Sequence, residues 1–326
     1  MKRIGLVVSG GDAPGINAAI ESAVLTLAAH GAEAWGIRGG FVGLLAGDLI
    51  HLVADELLGS SARGGALLST SRDRVLAEPD ARERLHQVWV ETSLDGLIVL
   101  GGDGTIRRAA SLLSAWGYPL MAIPCTIDND VPQTERTVGF DSACNRALPM
   151  LDAIRDTATA LAGRIFVVET LGGTTGHLAV AIAYAAQSHA VGVPELSFDV
   201  QEMGQRLAAA VARHGYGICV VSEGIGDVPR FCADLAEAAG HRVRLTALGH
   251  AQRGGPPSYF DRWLGRTWGE LAALELLAGR SGGMASWQAG QVSSVPAEAV
   301  SQAPAKEIDR LRYERINSQR QIYAAT

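Results

Sequence analysis

Six times along this chain, an apolar run of strand length stops at glycines or polar residues and a helix-like stretch or a polar loop follows. "RIGLVVS" (3–9) meets "GGDAPG" and then "INAAIESAVLTLAAHG", a helix expected to end at Gly31. "DGLIVL" (95–100) meets "GGDGT" and "IRRAASLLSAWG", and "PLMAIP" (119–124) meets "CTIDND". "GRIFVVET" (163–170) meets "LGGTTG" and the helix "HLAVAIAYAAQSH", while "YGICVVSEG" (216–224) and "VRLTALGH" (243–250) repeat the theme. Apolar strands alternating with helices imply an α/β protein with parallel strands. In such a sheet, ligands gather at the carboxyl ends of the strands. Gly-Gly there lets backbone amides approach a ligand, and a helix start behind it favours an anion. Repeated in register beside acids, arginines and a histidine, the pattern predicts a composite site.

A length of 326 residues exceeds one typical compact domain and suits two. With 48% hydrophobic and 19% charged residues, the chain can bury a large core and is not disordered. No apolar run nears the roughly 20 residues that span a bilayer. The start turns glycine-rich after one short apolar run and does not read as a signal peptide. A formal charge of −6 argues against a general nucleic-acid binder. Cys125, Cys144, Cys219 and Cys232 show neither metal-ligand spacing nor a compact framework. Reduced thiols in a cytoplasmic protein are expected, with neither a membrane nor nucleic acid as partner. The tail "KEIDRLRYERINSQRQIYAAT" reads as a charged helical end with a structural role.

The stretch "AIPCTIDNDVPQT" (122–134) sets Asp128, Asn129 and Asp130 in succession after a strand. Taken alone they are turn formers, since such side chains bond the nearby backbone. The rest of the chain changes that reading. "SGGDAPGINAAI" (9–20), "STSR" (69–72), "GGDGT" (101–105), "TIDND" (126–130) and "TVGFDSA" (137–143) occur in order, followed by "RDTA" (155–158), "VVET" (167–170), "SEG" (222–224) and "LGHAQRGGPPSYFDR" (248–262). In this ordered set the chain resembles the phosphofructokinase family, at bacterial length and over nearly its whole extent.

The resemblance implies two Rossmann-like three-layer α/β/α domains with the active site in the cleft between them. Residues 1–138 plus 257–305 would form the nucleotide, or phosphoryl-donor, domain, and 139–256 plus 306–326 the sugar-phosphate domain. It implies transfer of a phosphoryl group from ATP, with Mg2+, to the 1-hydroxyl of fructose 6-phosphate. Asp103 matches the magnesium position, and a hard cation wants carboxylate oxygen. Gly11, Gly102, Gly104 and Thr105 match the donor-binding loops. Arg72 matches an arginine that bridges the phosphates in the transition state. Asp128 matches the catalytic base, with Thr126 and Asp130 beside it. On the acceptor side Glu223, Leu171 and Gly172 match sugar contacts, and His250 and Arg253 match groups gripping the sugar's phosphate. Arg164 and Arg244 match arginines that reach this phosphate from a neighbouring subunit, through bidentate guanidinium pairing. A homotetramer, and at least a dimer, is therefore expected.

Four departures bear on the activity. Cys125 stands where ATP users carry glycine and pyrophosphate users lysine, while Gly104 is the ATP-type choice and pyrophosphate users carry aspartate. Arg108 replaces a small residue expected beside the adenosine. Leu171-Gly172-Gly173 replaces a motif ending in arginine, and losing such a donor commonly costs about 10²- to 10³-fold in turnover. Glu21 and Leu25 stand where basic residues of the first helix usually bind effectors, so regulation by ADP or phosphoenolpyruvate of the familiar kind is not expected. Fructose 6-phosphate is the default acceptor. The space at Gly173 keeps sedoheptulose 7-phosphate as a rival, a non-catalytic sugar-phosphate binder is a second alternative, and pyrophosphate as donor is disfavoured.

Overall fold

All six apolar runs form strands, within a larger set that the pattern did not reveal. In chain order they are β1 (Arg3–Ser9), β2 (Glu33–Ile37), β3 (Leu49–Leu52), β4 (Gly96–Gly101), β5 (Leu120–Thr126), β6 (Val138–Gly139), β7 (Arg164–Thr170), β8 (Ala190–Gly192), β9 (Tyr216–Ser222), β10 (Arg242–Ala247), β11 (Gly283–Gln288) and β12 (Gln291–Pro296). The computed structural model describes residues 1–72 and 74–318. Its chain divides into two units, Met1–Ser142 with Arg253–Lys306, and Ala143–Gln252 with the segment from Glu307 onward. Of the predicted helical tail, Arg310–Asn317 is helix, and 319–326 lie outside the described residues. Among the described residues no helix is long and apolar enough to cross a membrane.

In the first unit the sheet order is β12-β11-β5-β4-β1-β2-β3, with β6 beside the end of β5. The central pairs are parallel, whereas β3 and β12 run antiparallel at the edges. β4 and β5 are buried along their whole length. That explains their unbroken apolar sequence, because a parallel strand is covered on both faces. One cover packs Phe41, Leu44, Leu85 and Leu113 against Val7, Leu97, Val99 and Ala122. Each fully buried aliphatic or Phe side chain there contributes roughly 1.5–3 kcal/mol.

The opposite cover includes helix Ile16–Ala29 lying against helix Tyr259–Leu277. Their backbones nearly touch. A Cβ at Gly269 would fall 2.2 Å from the Ala19 carbonyl oxygen, and one at Gly265 would fall 2.7 Å from that of Gly15. Gly269→Val is accordingly expected to force the helices apart and destabilise the fold by about 1–3 kcal/mol or more, read as a lowered midpoint in urea. An unchanged midpoint would disprove the close approach.

The second unit carries a four-stranded, wholly parallel sheet in the order β10-β7-β9-β8. Ile165, Val167, Cys219 and Val221 pack against Met203, Leu207, Phe231 and Leu235. These last come from helices Val200–His214 and Val228–Ala239. Both helices have legible ends. Asp199 and Asp227 accept from backbone amides at their starts, and Gly215 and Gly240 take left-handed backbone at their finishes. β10 is an edge strand, with five of its six residues exposed.

Beside β9, the His189 ring lies 5.5 Å from that of His214 and edge-on to Tyr216, and its Nδ1 accepts from the Ile218 amide at 3.0 Å. Burial pushes the imidazole down to about 4, and the charges of His214 and Arg155 act in the same direction. The unfolded chain then binds the extra proton below about 6.5, so His189 removes stability as pH falls from that value toward 4. Relative to His189→Asn, the native protein should lose roughly 2–3 kcal/mol over that window. Parallel pH–stability curves for the two proteins would contradict this.

Candidate active site

Parallel pairing brings strand ends together. In the first unit β5, β4 and β1 are neighbours, and Ser9, Gly101 and Pro124 stand in register. The loops after these strands carry Gly11, Asp103 and Asp128, which therefore converge on one edge of the sheet. Contacts between loops are close. Thr105 Oγ1 donates to the Ser9 carbonyl at 3.1 Å, and a Cβ at Gly101 would lie 2.5 Å from that same oxygen. The Gly10 amide donates to Ser71 O at 3.0 Å, and Thr70 Oγ1 donates to Gly10 O at 2.9 Å, which lays segment 70–72 along the end of β1.

That lay-down sets Arg72 over Gly11. A Cβ at Gly11 would fall 2.9 Å from Arg72 Nη2 and 2.5 Å from Arg253 Nη1, so any larger residue there would displace the two guanidinium groups from these positions. Arg253 Nη1 also donates to Asp12 O at 3.3 Å. Two guanidinium groups over bare backbone are an arrangement able to pair with an anion such as phosphate. Gly104 faces open space, with no atom within 4 Å of a Cβ placed there. A Cβ at Gly102 would meet Thr126 at 3.2 Å.

In the D-N-D stretch the three residues take different duties. Asn129 is the turn former, buried in left-handed backbone with φ 53°, and its Nδ2 donates to Glu135 O at 3.2 Å. Thr137 ties the same loop by donating to Thr126 O at 2.6 Å. The Asp128 amide donates to Thr126 Oγ1 at 3.1 Å, which holds the backbone of residue 128 against the end of β5. Burial pushes the Asp130 carboxyl up to about 7, and the charges of Asp128 and Asp103 push the same way. The three acids thus share one electrostatic neighbourhood, and buried Asp130 Oδ1 has no hydrogen-bond partner among the described residues. Cys125 is 1% exposed, with its thiol pushed up by burial and by the charge of Asp261. The cysteine side chain is thus enclosed within the unit.

Two basic residues here escaped the sequence reading. Arg107 Nε donates to Asp103 Oδ1 at 2.6 Å, while Nη1 reaches Ala303 O at 2.7 Å. Its four-residue spacing from Asp103 on a helical stretch was the available signal. Lys306 Nζ donates to Glu135 O at 3.1 Å. Burial and Arg136 bring Lys306 down to about 8, against the opposing pull of Asp130 and Glu135. Nothing local in the sequence connects it to Asp130. Arg108 is exposed and Arg74 likewise.

In the second unit β10, β7 and β9 are neighbours, so the loops at 171–173, 223 and 249–252 gather at one edge. Glu223 Oε1 accepts from the Gly172 amide at 3.1 Å and the Gly173 amide at 2.8 Å, and Gln252 Oε1 accepts from the Leu171 amide at 2.8 Å. Gly173 is exposed with φ 59°, a conformation in which an arginine would be strained. His250 is exposed in the turn Gly249–Gln252. Arg164 and Arg244 are not at this edge. Arg164 opens β7 and faces Arg242 in register, while Arg244 faces Phe166. Parallel partners point to the same face, so Arg164, Arg242 and Arg244 line one face of the sheet toward its other end. None of the three is in an ion pair among the described residues.

The sequence profile of the phosphofructokinase family matches residues 3–276. The chain belongs to that family. Among curated phosphofructokinases, the ATP-dependent 6-phosphofructokinase of Lactobacillus johnsonii is 38% identical over 283 residues, covering 86% of this chain and 88% of its own. That of Natranaerobius thermophilus is 39% identical over 287 residues, with the same coverage. Pichia pastoris phosphofructokinase in the T-state superposes with a TM-score of 0.86 at 26% identity, covering 92% of this chain and 35% of the larger yeast chain. The pyrophosphate-dependent phosphofructokinase of Marinobacter aquaeolei gives a TM-score of 0.85 at 23% identity over 98% of this chain and 91% of its own, a likeness of fold.

Proposed function

We propose that this phosphofructokinase-family protein is an ATP-dependent 6-phosphofructokinase of the glycolytic type, moving the γ-phosphoryl group of ATP to the 1-hydroxyl of fructose 6-phosphate. The observation that carries the reading is the gathering of Gly11, Arg72, Asp103 and Asp128 at the carboxyl ends of three adjacent strands. The names of the curated relatives favour this reaction over the other acceptors and over pyrophosphate. The first unit would take the donor, and the second the sugar phosphate.

Phosphoryl transfer asks the protein for positioning and charge rather than covalent chemistry. Asp128 takes the proton of the attacking hydroxyl. Thr126 holds the amide of Asp128 in place, and Asp130 lies beside it. Arg72 neutralises charge on the phosphoryl in transit, while Gly11, Gly102 and Thr105 let backbone come close to the donor. Gly104 leaves open the space that an aspartate would fill in a pyrophosphate user. Asp103 is the residue that would hold Mg2+, which when bound neutralises the donor phosphates. The residues fit that ion: Asp130 is pushed up first by burial and then by the charges of Asp128 and Asp103, a local excess of negative charge that a divalent cation would offset, and Mg2+ takes carboxylate oxygens together with substrate oxygens and water. On the acceptor, Glu223, Leu171 and Gly172 hold the sugar, and His250 and Arg253 its phosphate. Arg253 also adds positive charge beside Arg72.

Arg164 and Arg244 are proposed to serve the site of a neighbouring subunit, in a homotetramer or at least a dimer. Arg164 lies six residues before the end of β7, about 20 Å from its own loop edge at strand spacing. Phosphorus NMR with magnesium, fructose 6-phosphate and either ATP or pyrophosphate tests the function. A new sugar 1-phosphate signal with ATP alone is expected. Silence with ATP would overturn the proposal.

A further inference from the structure

Helix Ile16–Ala29 places Asn17 and Glu21 one turn apart, and both grip the strap that runs from Gly59 to Arg72. Glu21 is only 3% exposed. Its Oε2 accepts from the Ser61 amide at 2.5 Å and the Ser60 hydroxyl at 3.1 Å, and its Oε1 accepts from the Gly59 amide at 3.3 Å. Arg266 Nη1 stands 3.8 Å from Oε1. Asn17 continues the grip. Its Nδ2 donates to Arg63 O at 2.9 Å, and its Oδ1 accepts from the Leu67 amide at 2.9 Å. Between these points a Cβ on Gly64 would fall 2.3 Å from Gly255 O, so the strap also lies against the 253–256 loop. It then crosses Gly10 through Thr70 and Ser71 and ends with Arg72 over Gly11.

A buried carboxylate is costly unless matched donors surround it, and here three donors and a nearby guanidinium do so. Removing it would leave two amides and a hydroxyl without their acceptor at the strap's first turn. We propose that Glu21 is a positioning residue for the reaction: its carboxylate is a tethered anion that anchors strap 59–72 and thereby holds the Arg72 guanidinium over Gly11. The strap is thus set from within the chain. The inference rests on the proposed role of Arg72 in phosphoryl transfer.

The test is Glu21→Ala in the full chain, with acetate and formate as the probes. A displaced Arg72 should lower kcat by about 10- to 100-fold, while KM for fructose 6-phosphate stays within about threefold. Acetate or formate, entering the vacated donor cradle, should restore most of that loss in the variant and leave the native enzyme unchanged. Glu21→Gln, which fills the cradle with a neutral side chain, should be slowed and refractory to either anion. A thermal melt supplies a readout that needs no activity: acetate should raise the midpoint of Glu21→Ala but not of the native protein. An anion-dependent midpoint without phosphoryl transfer by the native protein would strike the reaction and leave the anion cradle standing. Native kcat in Glu21→Ala, or a slowed enzyme that neither anion speeds or stabilises, would overturn the inference. If Glu21→Ala does not fold, Glu21→Asp decides, since a carboxylate one methylene short should lower kcat at unchanged KM; an unslowed Glu21→Asp would overturn it.

Discussion

Replacing Asp128 with alanine is expected to lower kcat by about 10²- to 10⁴-fold, the range for removing a positioned general base. The loop should survive the change. Its shape is kept by Asn129 in left-handed backbone, by the Thr137 bond to Thr126 O, and by the backbone amide of residue 128 itself. Fructose 6-phosphate affinity, measured calorimetrically, should therefore change by less than about threefold, because the base acts in the transition state and not in binding. Asp128→Asn provides the control for shape. Turnover within threefold of native in either variant would remove Asp128 from the mechanism and move attention to Asp130, the adjacent acid that shares its field.

The second large effect is expected at Arg164 and Arg244. Each charge-assisted hydrogen bond to a phosphate is worth about 1.5–3 kcal/mol. Losing both in Arg164→Ala/Arg244→Ala should cut kcat/KM for fructose 6-phosphate by roughly 10²- to 10⁴-fold, mostly through KM. Because these arginines lie away from the loop edge of their own sheet, the loss should be complemented in trans. Mixing the double variant with Asp128→Ala, each nearly inactive, should yield hybrid oligomers in which some sites hold an intact Asp128 and intact arginines. Recovered activity in the mixture would place the arginines in another chain's site. No recovery after verified subunit exchange would confine them to their own chain.

The strand ends and helix caps could be read directly. Runs such as "GLIVLG" are apolar throughout because both faces of a parallel strand are covered, and Asp199 with Gly215 brackets a helix by local backbone chemistry alone. The residues that gather at the loop edges were legible for a related reason. Each sits immediately after a strand, and neighbouring parallel strands deliver their ends to one place whatever lies between them in sequence. β2, β3, β6, β8, β11 and β12 were not read: each is six residues or fewer, β3 and β12 are antiparallel edges, and none carries a comparable unbroken apolar run.

What the amino-acid sequence determined by itself was therefore the alternating α/β architecture, the family, and the identity of the acids, glycines and arginines at the strand ends. Tertiary structure alone decided how these groups are held. It divided D-N-D between a turn-forming Asn129 and two acids in a shared field, turned Cys125 inward, and brought Arg253 beside Arg72 over Gly11. It also carried Lys306 to Asp130 and seated Glu21 under the Gly59–Ser61 turn. The physical reason is one of range. Strand and cap signals arise from backbone preferences spanning a few residues, whereas a field between charges or a filled cradle depends on segments that meet only after the chain has folded.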